Sequence, residues 1–169
     1  QVFFNTASYL VDYAPFAAKH LDDVFDRQWR SGRLPQIAPF NAEDWYMFVM
    51  NGSVGWADVG ILMPYYAYLK YGDERFLKRF YAGMARYAKF MMRRQEKWGG
   101  VYAKPMHLKR RYAKYAVNCG QSYGEWAEPA DVKSFVWTDF ASPHPEVSTA
   151  YTAWVLSIFL KVSDILGQP

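Results

Sequence analysis

The chain has 169 residues, enough for one domain or a large piece of one; 51% of them are hydrophobic and 20% are aromatic. That much Tyr, Trp and Phe provides for an aromatic-lined pocket as well as a core, because tyrosine and tryptophan carry a polar handle that needs a partner when buried. The net charge of +4 is modest and mostly scattered, the single Cys119 excludes an internal disulfide, and no apolar run reaches the ~18 residues of a membrane span.

Apolar spacing predicts four helical stretches. The first covers about 5–29, with Ala7, Leu10, Ala14, Leu21, Val24 and Phe25 on its stripe. Pro15 interrupts it with a kink or a restart, and Gly32 and Pro35 stop it. The second covers about 57–71, with Leu62, Tyr65, Tyr66 and Leu69 on one side. Pro64 must lie in an early turn or bend this helix, and Gly72 closes it. The third starts at Asp73, a good N-cap, and carries the clearest stripe: Leu77, Phe80, Met84, Tyr87, Ala88 and Met91. It should end near Gly99-Gly100. The fourth covers about 145–166, with Val147, Ala150, Tyr151, Trp154, Val155, Ile158, Phe159 and Val162 on its stripe and Gly167 at its close.

Residues 100–144 lie between the third and fourth helices, too long a stretch for an ordinary helix connection. Its apolar and aromatic content, Phe135, Val136 and Trp137 among them, marks it as a folded active-site loop with room for a short strand pair near Val101–Tyr102 and Ala116–Val117. Lys104, Lys109, Arg110, Arg111 and Lys114 alternate there with Tyr102, Tyr112 and Tyr115. Basic and aromatic residues together can bind nucleic acid. We read this run as a solvated loop, or one facing an absent part of the protein, and assign no nucleic-acid and no membrane partner. Cys119 has no Cys/His signature around it, and His20, His107 and His144 are too far apart in sequence for metal-ligand spacing. No signal peptide is visible, and Gln1 in place of Met points to a processed product or an excised piece.

Two aromatic–carboxylate clusters stand out, Gly55-Trp56-Ala57-Asp58 and Tyr123-Gly124-Glu125-Trp126-Ala127-Glu128-Pro129. Each places an indole beside an acid near a helix entrance. Such a pair suits a sugar: the ring face covers apolar C–H surface, and the carboxylate accepts hydroxyl hydrogens. Packing tryptophans beside helix-capping acids would look the same. Glu128 precedes Pro129 and is a weaker candidate; Glu146, at a helix start, is better explained by the helix dipole.

Four segments occur in order along the chain. Gln28 comes first with Gly32, Leu34, Pro35 and Pro39. Then come Gly55, Trp56, Asp58, Pro64, Tyr65, Tyr68, Tyr71, Gly72 and Asp73, followed by Tyr81 and Met84. Next is Gly124-Glu125-Trp126. Last is Pro145-x-Val147-Ser148-Thr149-Ala150-Tyr151, leading to Leu166-Gly167. This series resembles the catalytic six-hairpin domain of bacterial α-L-rhamnosidases of glycoside hydrolase family 78, over nearly the whole chain. The resemblance implies an all-α fold, an incomplete part of an (α/α)6 barrel built of antiparallel helix hairpins. Residues 1–169 would be a single partial catalytic domain, with 100–144 as its long active-site loop. It also implies hydrolysis of terminal α-L-rhamnosides with inversion, no cofactor and no metal, and a bacterial source with the compartment, cytoplasmic or secreted, left open.

An inverting glycosidase needs a carboxylic acid and a carboxylate about 6.5–9.5 Å apart. In the family the general acid lies in an Asp-Glu-Arg-x-Gly-Trp-x-Gly-Asp stretch that would end just before Gln1, and the general base lies beyond Pro169. Asp73-Glu74-Arg75 copies the first triplet only; Phe76-Leu77 follows it, and it reads as a helix cap. The resemblance therefore makes Trp56, Asp58, Glu125 and Trp126 substrate-binding residues, with both catalytic groups outside the chain. Glu125 replaces the family's more frequent Asp, keeping the charge and moving it by one bond. The chain alone should be inactive and should associate with itself or with the rest of the barrel. Two other readings stay open: a six-hairpin glycosidase with another sugar specificity, and a non-catalytic helical carbohydrate-binding or scaffold module.

Overall fold

The structure, a computed structural model, describes residues 2–41, 50–95, 115–117 and 145–169. Five α-helices carry these residues: α1 Phe4–Leu10, α2 Ala14–Asp26, α3 Val59–Tyr71, α4 Arg75–Gln95 and α5 Pro145–Ile165.

The first expected helix is two. The chain turns extended at Val11, and α2 restarts with Pro15 in its first turn, where a missing N–H costs nothing. The break is pinned from outside: Tyr13 N–H donates to the Tyr71 hydroxyl at 3.2 Å, and the Tyr13 ring meets Phe4 edge-on at 5.3 Å. Helix α2 buries Ala17, Leu21 and Val24, one face at helical spacing, and ends at Asp26, before the expected Trp29.

A turn follows at Trp29–Gly32, closed by Gly32 N–H donating to the Trp29 carbonyl at 2.9 Å. Gly32 has φ +92°, and a Cβ there would stand 2.1 Å from the Arg86 carbonyl oxygen on α4. Only glycine fits that approach. Gln28 locks the same contact. Its Nε2 donates to the carbonyls of Gly32 (3.0 Å) and Gly83 (2.9 Å), and its Oε1 accepts from Arg86 Nε at 2.9 Å.

Helix α3 is the hub and packs on each of the other four. Its first six residues, Val59 to Pro64, are all buried, and so is Ala67. A helix apolar all round belongs inside a core. The expected single stripe is therefore corrected: Tyr65 and Tyr66 are half-buried, and Leu69 faces solvent. Pro64 lies in the second turn, where it removes the bond residue 64 would give Gly60. Gly72 ends the helix in the left-handed conformation, with its N–H on the Tyr68 carbonyl at 2.8 Å.

Helix α4 packs back against α3 across a short connection, an antiparallel hairpin. Asp73 Oδ1 accepts the Arg75 N–H at 2.9 Å at its start. Leu77, Phe80, Met84, Tyr87, Ala88 and Met91 are buried, as their spacing requires. Each fully buried large side chain of this kind contributes roughly 1.5–3 kcal/mol.

Helix α5 lies against α3 and α4. Its buried side is Ser148, Thr152, Val155, Ile158, Val162 and Ser163, turned from the expected stripe: Val147 and Trp154 are exposed, and Tyr151 and Phe159 are half-buried. Ala116 and Val117 are buried beside it, and Val117 N–H donates to Thr149 Oγ1 at 2.9 Å. Residues 100–114 and 118–144, including the expected strand partner Val101–Tyr102, lie outside the described residues.

Candidate functional site

The turn that leads into α3, residues 50–58, is built from buried polar contacts. Gly52 N–H donates to the Leu34 carbonyl at 2.8 Å, which fastens it to the strand of chain after Gly32. Asn51 Oδ1 accepts the Gln36 N–H at 2.6 Å, and Ser53 Oγ donates to Gln36 Oε1. Gln36, Asn51 and Ser53 are all buried. A polar group is carried into an interior at small cost only when it is hydrogen-bonded. Together these bonds hold residues 34–36 against 51–53.

Asp58 occupies the N-cap position of α3, yet its side chain makes no cap bond. Its main-chain carbonyl accepts from Ile61 N–H (2.9 Å) and Leu62 N–H (3.0 Å), starting the helix. The carboxylate turns back instead. Oδ2 accepts the Gly55 N–H at 2.6 Å, and Oδ1 accepts the Tyr87 hydroxyl at 2.8 Å. Asp58 and Tyr87 are both 0% exposed. Bonds to an ionised acceptor are short and about twice as strong as neutral ones, which offsets the burial of the carboxylate. Gly55 has φ +91°, a conformation that tightens the turn and brings its N–H onto the acid.

Trp56 lies inside the loop that the Gly55–Asp58 bond closes. Trp56 is 47% exposed, whereas Ala57, Asp58 and Val59 around the helix start are buried. The turn thus carries a half-exposed aromatic residue on a frame fixed by buried hydrogen bonds. Glu125, Trp126 and Glu128 lie outside the described residues, so the first cluster is the one whose geometry is given. Glu146 lies in the first turn of α5, exposed, where the helix dipole favours it.

Sequence reasoning missed Tyr87 as a member of this site, since it reads as one more ring in the stripe of α4. The signal was its hydroxyl, which must find a partner when the ring is fully buried. Gln36, Asn51 and Ser53 were missed as well. Among the described residues no three His, Cys, Asp or Glu side chains gather at metal-binding range, and no helix is long and apolar enough to cross a membrane.

The family described as bacterial alpha-L-rhamnosidase 6 hairpin glycosidase domain matches residues 1–169. An alpha-L-rhamnosidase of Streptomyces avermitilis is 25% identical over 167 residues, covering 99% of this chain and 13% of that protein. An alpha-L-rhamnosidase of Formosa agariphila is 24% identical over 170 residues, covering 99% of this chain and 15% of its own length. Among solved structures, the Streptomyces avermitilis alpha-L-rhamnosidase complexed with L-rhamnose superposes with a TM-score of 0.64 at 22% identity, over 94% of this chain and 12% of that one. The chain belongs to the six-hairpin glycosidase domain family of bacterial alpha-L-rhamnosidases. It is an all-α piece of such a barrel and spans about an eighth to a seventh of the length of these relatives.

Proposed function

We propose that this member of the family supplies the sugar-holding middle of an inverting hydrolase for terminal α-L-rhamnosides. Trp56 and Trp126 act as stacking faces and Glu125 as a hydroxyl acceptor; Asp58, expected as a sugar contact but fully buried with both oxygens on protein donors, instead holds the turn that carries Trp56, and the general acid and base lie outside residues 1–169. The observation that carries this reading is the half-exposed Trp56 in a turn closed by the fully buried carboxylate of Asp58. A sugar's apolar face loses little by stacking on such a ring. No cofactor enters the reaction. In this reading Glu125 and Trp126 serve the same sugar as Trp56.

The flank between α4 and α5 fits a partial barrel. An open groove of about 460 Å³ runs there, lined by Tyr81, Ala85, Met92, Phe159 and Leu160. Met92 and Leu160 are exposed. In this reading further helices of the barrel cover that groove, and the chain without them associates with itself through it.

The test uses an aryl α-L-rhamnoside with two proteins, the full-length protein that carries this chain and the purified 169-residue chain. The full-length protein should turn the substrate over, and proton NMR should show the β-anomer of the sugar first, as inversion requires. The isolated chain should give no turnover. Robust hydrolysis by the isolated chain, or release of the α-anomer first by the full-length protein, overturns the proposal.

A further inference from the structure

We infer that Tyr87 is a positioning residue of the sugar site, acting through Asp58 to aim Trp56; the inference rests on the function proposed above. Tyr87 belongs to the buried row of α4, with Met84 and Met91 one turn to either side. A phenylalanine would fill the same volume, so packing alone gives no reason for the hydroxyl. That hydroxyl is spent on Asp58 Oδ1, across 29 residues of chain.

The consequence runs along three links. Asp58 sits where an acid ordinarily caps its own helix, but its side chain does not do so. Tyr87 holds one oxygen from the α4 side, which leaves the other directed at the Gly55 N–H. That bond closes the turn around Trp56. Trp56 is half-exposed, and the backbone of this turn sets where its side chain leaves the fold. Without the Tyr87 hydroxyl, Oδ1 loses its donor and the carboxylate is no longer held in the rotation that puts Oδ2 on the Gly55 N–H. Gly55 then loses its acceptor, and the indole loses its aim. The α4 helix thereby fixes the stacking face without touching the sugar, and a small angular error in a positioning group is enough to weaken binding.

The experiment is Tyr87→Phe in the full-length protein, alone and combined with Trp56→Ala. Three quantities are read: KM and kcat for an aryl α-L-rhamnoside, the Kd for L-rhamnose, and amide hydrogen exchange at Gly55. The inference expects KM and Kd to rise about tenfold with kcat within about twofold, the loss of one hydrogen bond to a buried charged acceptor. It expects Gly55 to exchange at least about tenfold faster, and Tyr87→Phe to add almost nothing once Trp56 is alanine. A fall in kcat at constant KM reports fewer folded molecules and overturns it. So does unchanged Gly55 exchange, or the same fold-loss in both Trp56 backgrounds. Failure of the wild-type protein to bind L-rhamnose or to hydrolyse the rhamnoside sinks the proposed function instead. Gly55 exchange in Tyr87→Phe then still decides whether Tyr87 frames the turn.

Discussion

The turn before α3 and the inner face of α5 both bury polar side chains, and they treat them differently. At the turn, Ser53 Oγ, Asp58 and Tyr87 have named partners: Gln36 and α4 supply bonds from outside the turn, and the Gly55 N–H supplies one from within it. On α5, Ser148 Oγ and Thr152 Oγ1 are buried with no hydrogen-bond partner among the described residues. Both regions belong to one apolar core around α3. The difference is one of purpose. A bonded buried network fixes a geometry, which suits a turn that presents Trp56, although Asn51 Nδ2 within it is buried without a partner among the described residues. An unpartnered hydroxyl fixes nothing and carries the cost of leaving water.

Removing the centre of the network tests that contrast most strongly. Asp58→Ala leaves the Gly55 N–H and the Tyr87 hydroxyl without their acceptor in a buried place. Each orphaned group costs about 1–3 kcal/mol, so we expect a loss of about 3 kcal/mol or more in chemical denaturation of the 169-residue chain. A loss below about 1 kcal/mol would mean that the turn is held by its backbone bonds alone, and the contrast with α5 would disappear.

The two regions also differ in how readable they are from sequence. The stripe of α4 could be read because apolar residues recur at helical spacing and Gly72 marks the turn before it. Helix α3 gave no single face to read, since Val59 to Pro64 are buried all round by neighbours on every side. On α5 the apolar residues cover more than one face, so periodicity could not choose the side that meets α3. It picked Trp154, which is exposed, over Ser148 and Thr152, which are not. The break at 11–13 depends on Tyr71, a residue distant in sequence. In the turn before α3, the pairing of an indole with an acid at a helix start was legible from the Trp56–Asp58 cluster itself. The Asp58–Tyr87 bond was not, because a tyrosine within an apolar stripe looks like packing until its hydroxyl is placed. Glu125 and Trp126 remain an expectation from the second cluster.

A milder change at the turn sharpens the same comparison. Ser53→Ala removes the donor to Gln36 Oε1 and leaves that oxygen buried, while the backbone bond from Ala57 N–H to the residue 53 carbonyl (3.0 Å) survives. We expect a loss of about 1–2 kcal/mol by denaturation, together with faster amide exchange at Gly52 and Asn51. A neutral result would place Ser53 with the α5 hydroxyls.

The smallest effect expected carries the opposite sign. Thr152 is 1% exposed, and its Oγ1 has no partner among the described residues. Within a helix a threonine hydroxyl often bonds the carbonyl one turn back, here that of Ser148, and this structure records no such bond. Thr152→Val keeps the branched shape and replaces the hydroxyl by a methyl group. The two residues have similar helix propensity, so the backbone is indifferent to the exchange. What remains is the desolvation cost of the hydroxyl, which the native chain carries and the variant does not. The chain should therefore be unchanged or more stable by up to about 1 kcal/mol, read as a rise in the denaturation midpoint at constant slope. Ser53→Ala and Thr152→Val each delete one buried hydroxyl, so opposite signs from the two variants isolate the value of the partner. If Thr152→Val destabilises the chain as much as Ser53→Ala does, the hydroxyl of Thr152 has a structural duty, and α5 is as deliberately wired as the turn that carries Trp56.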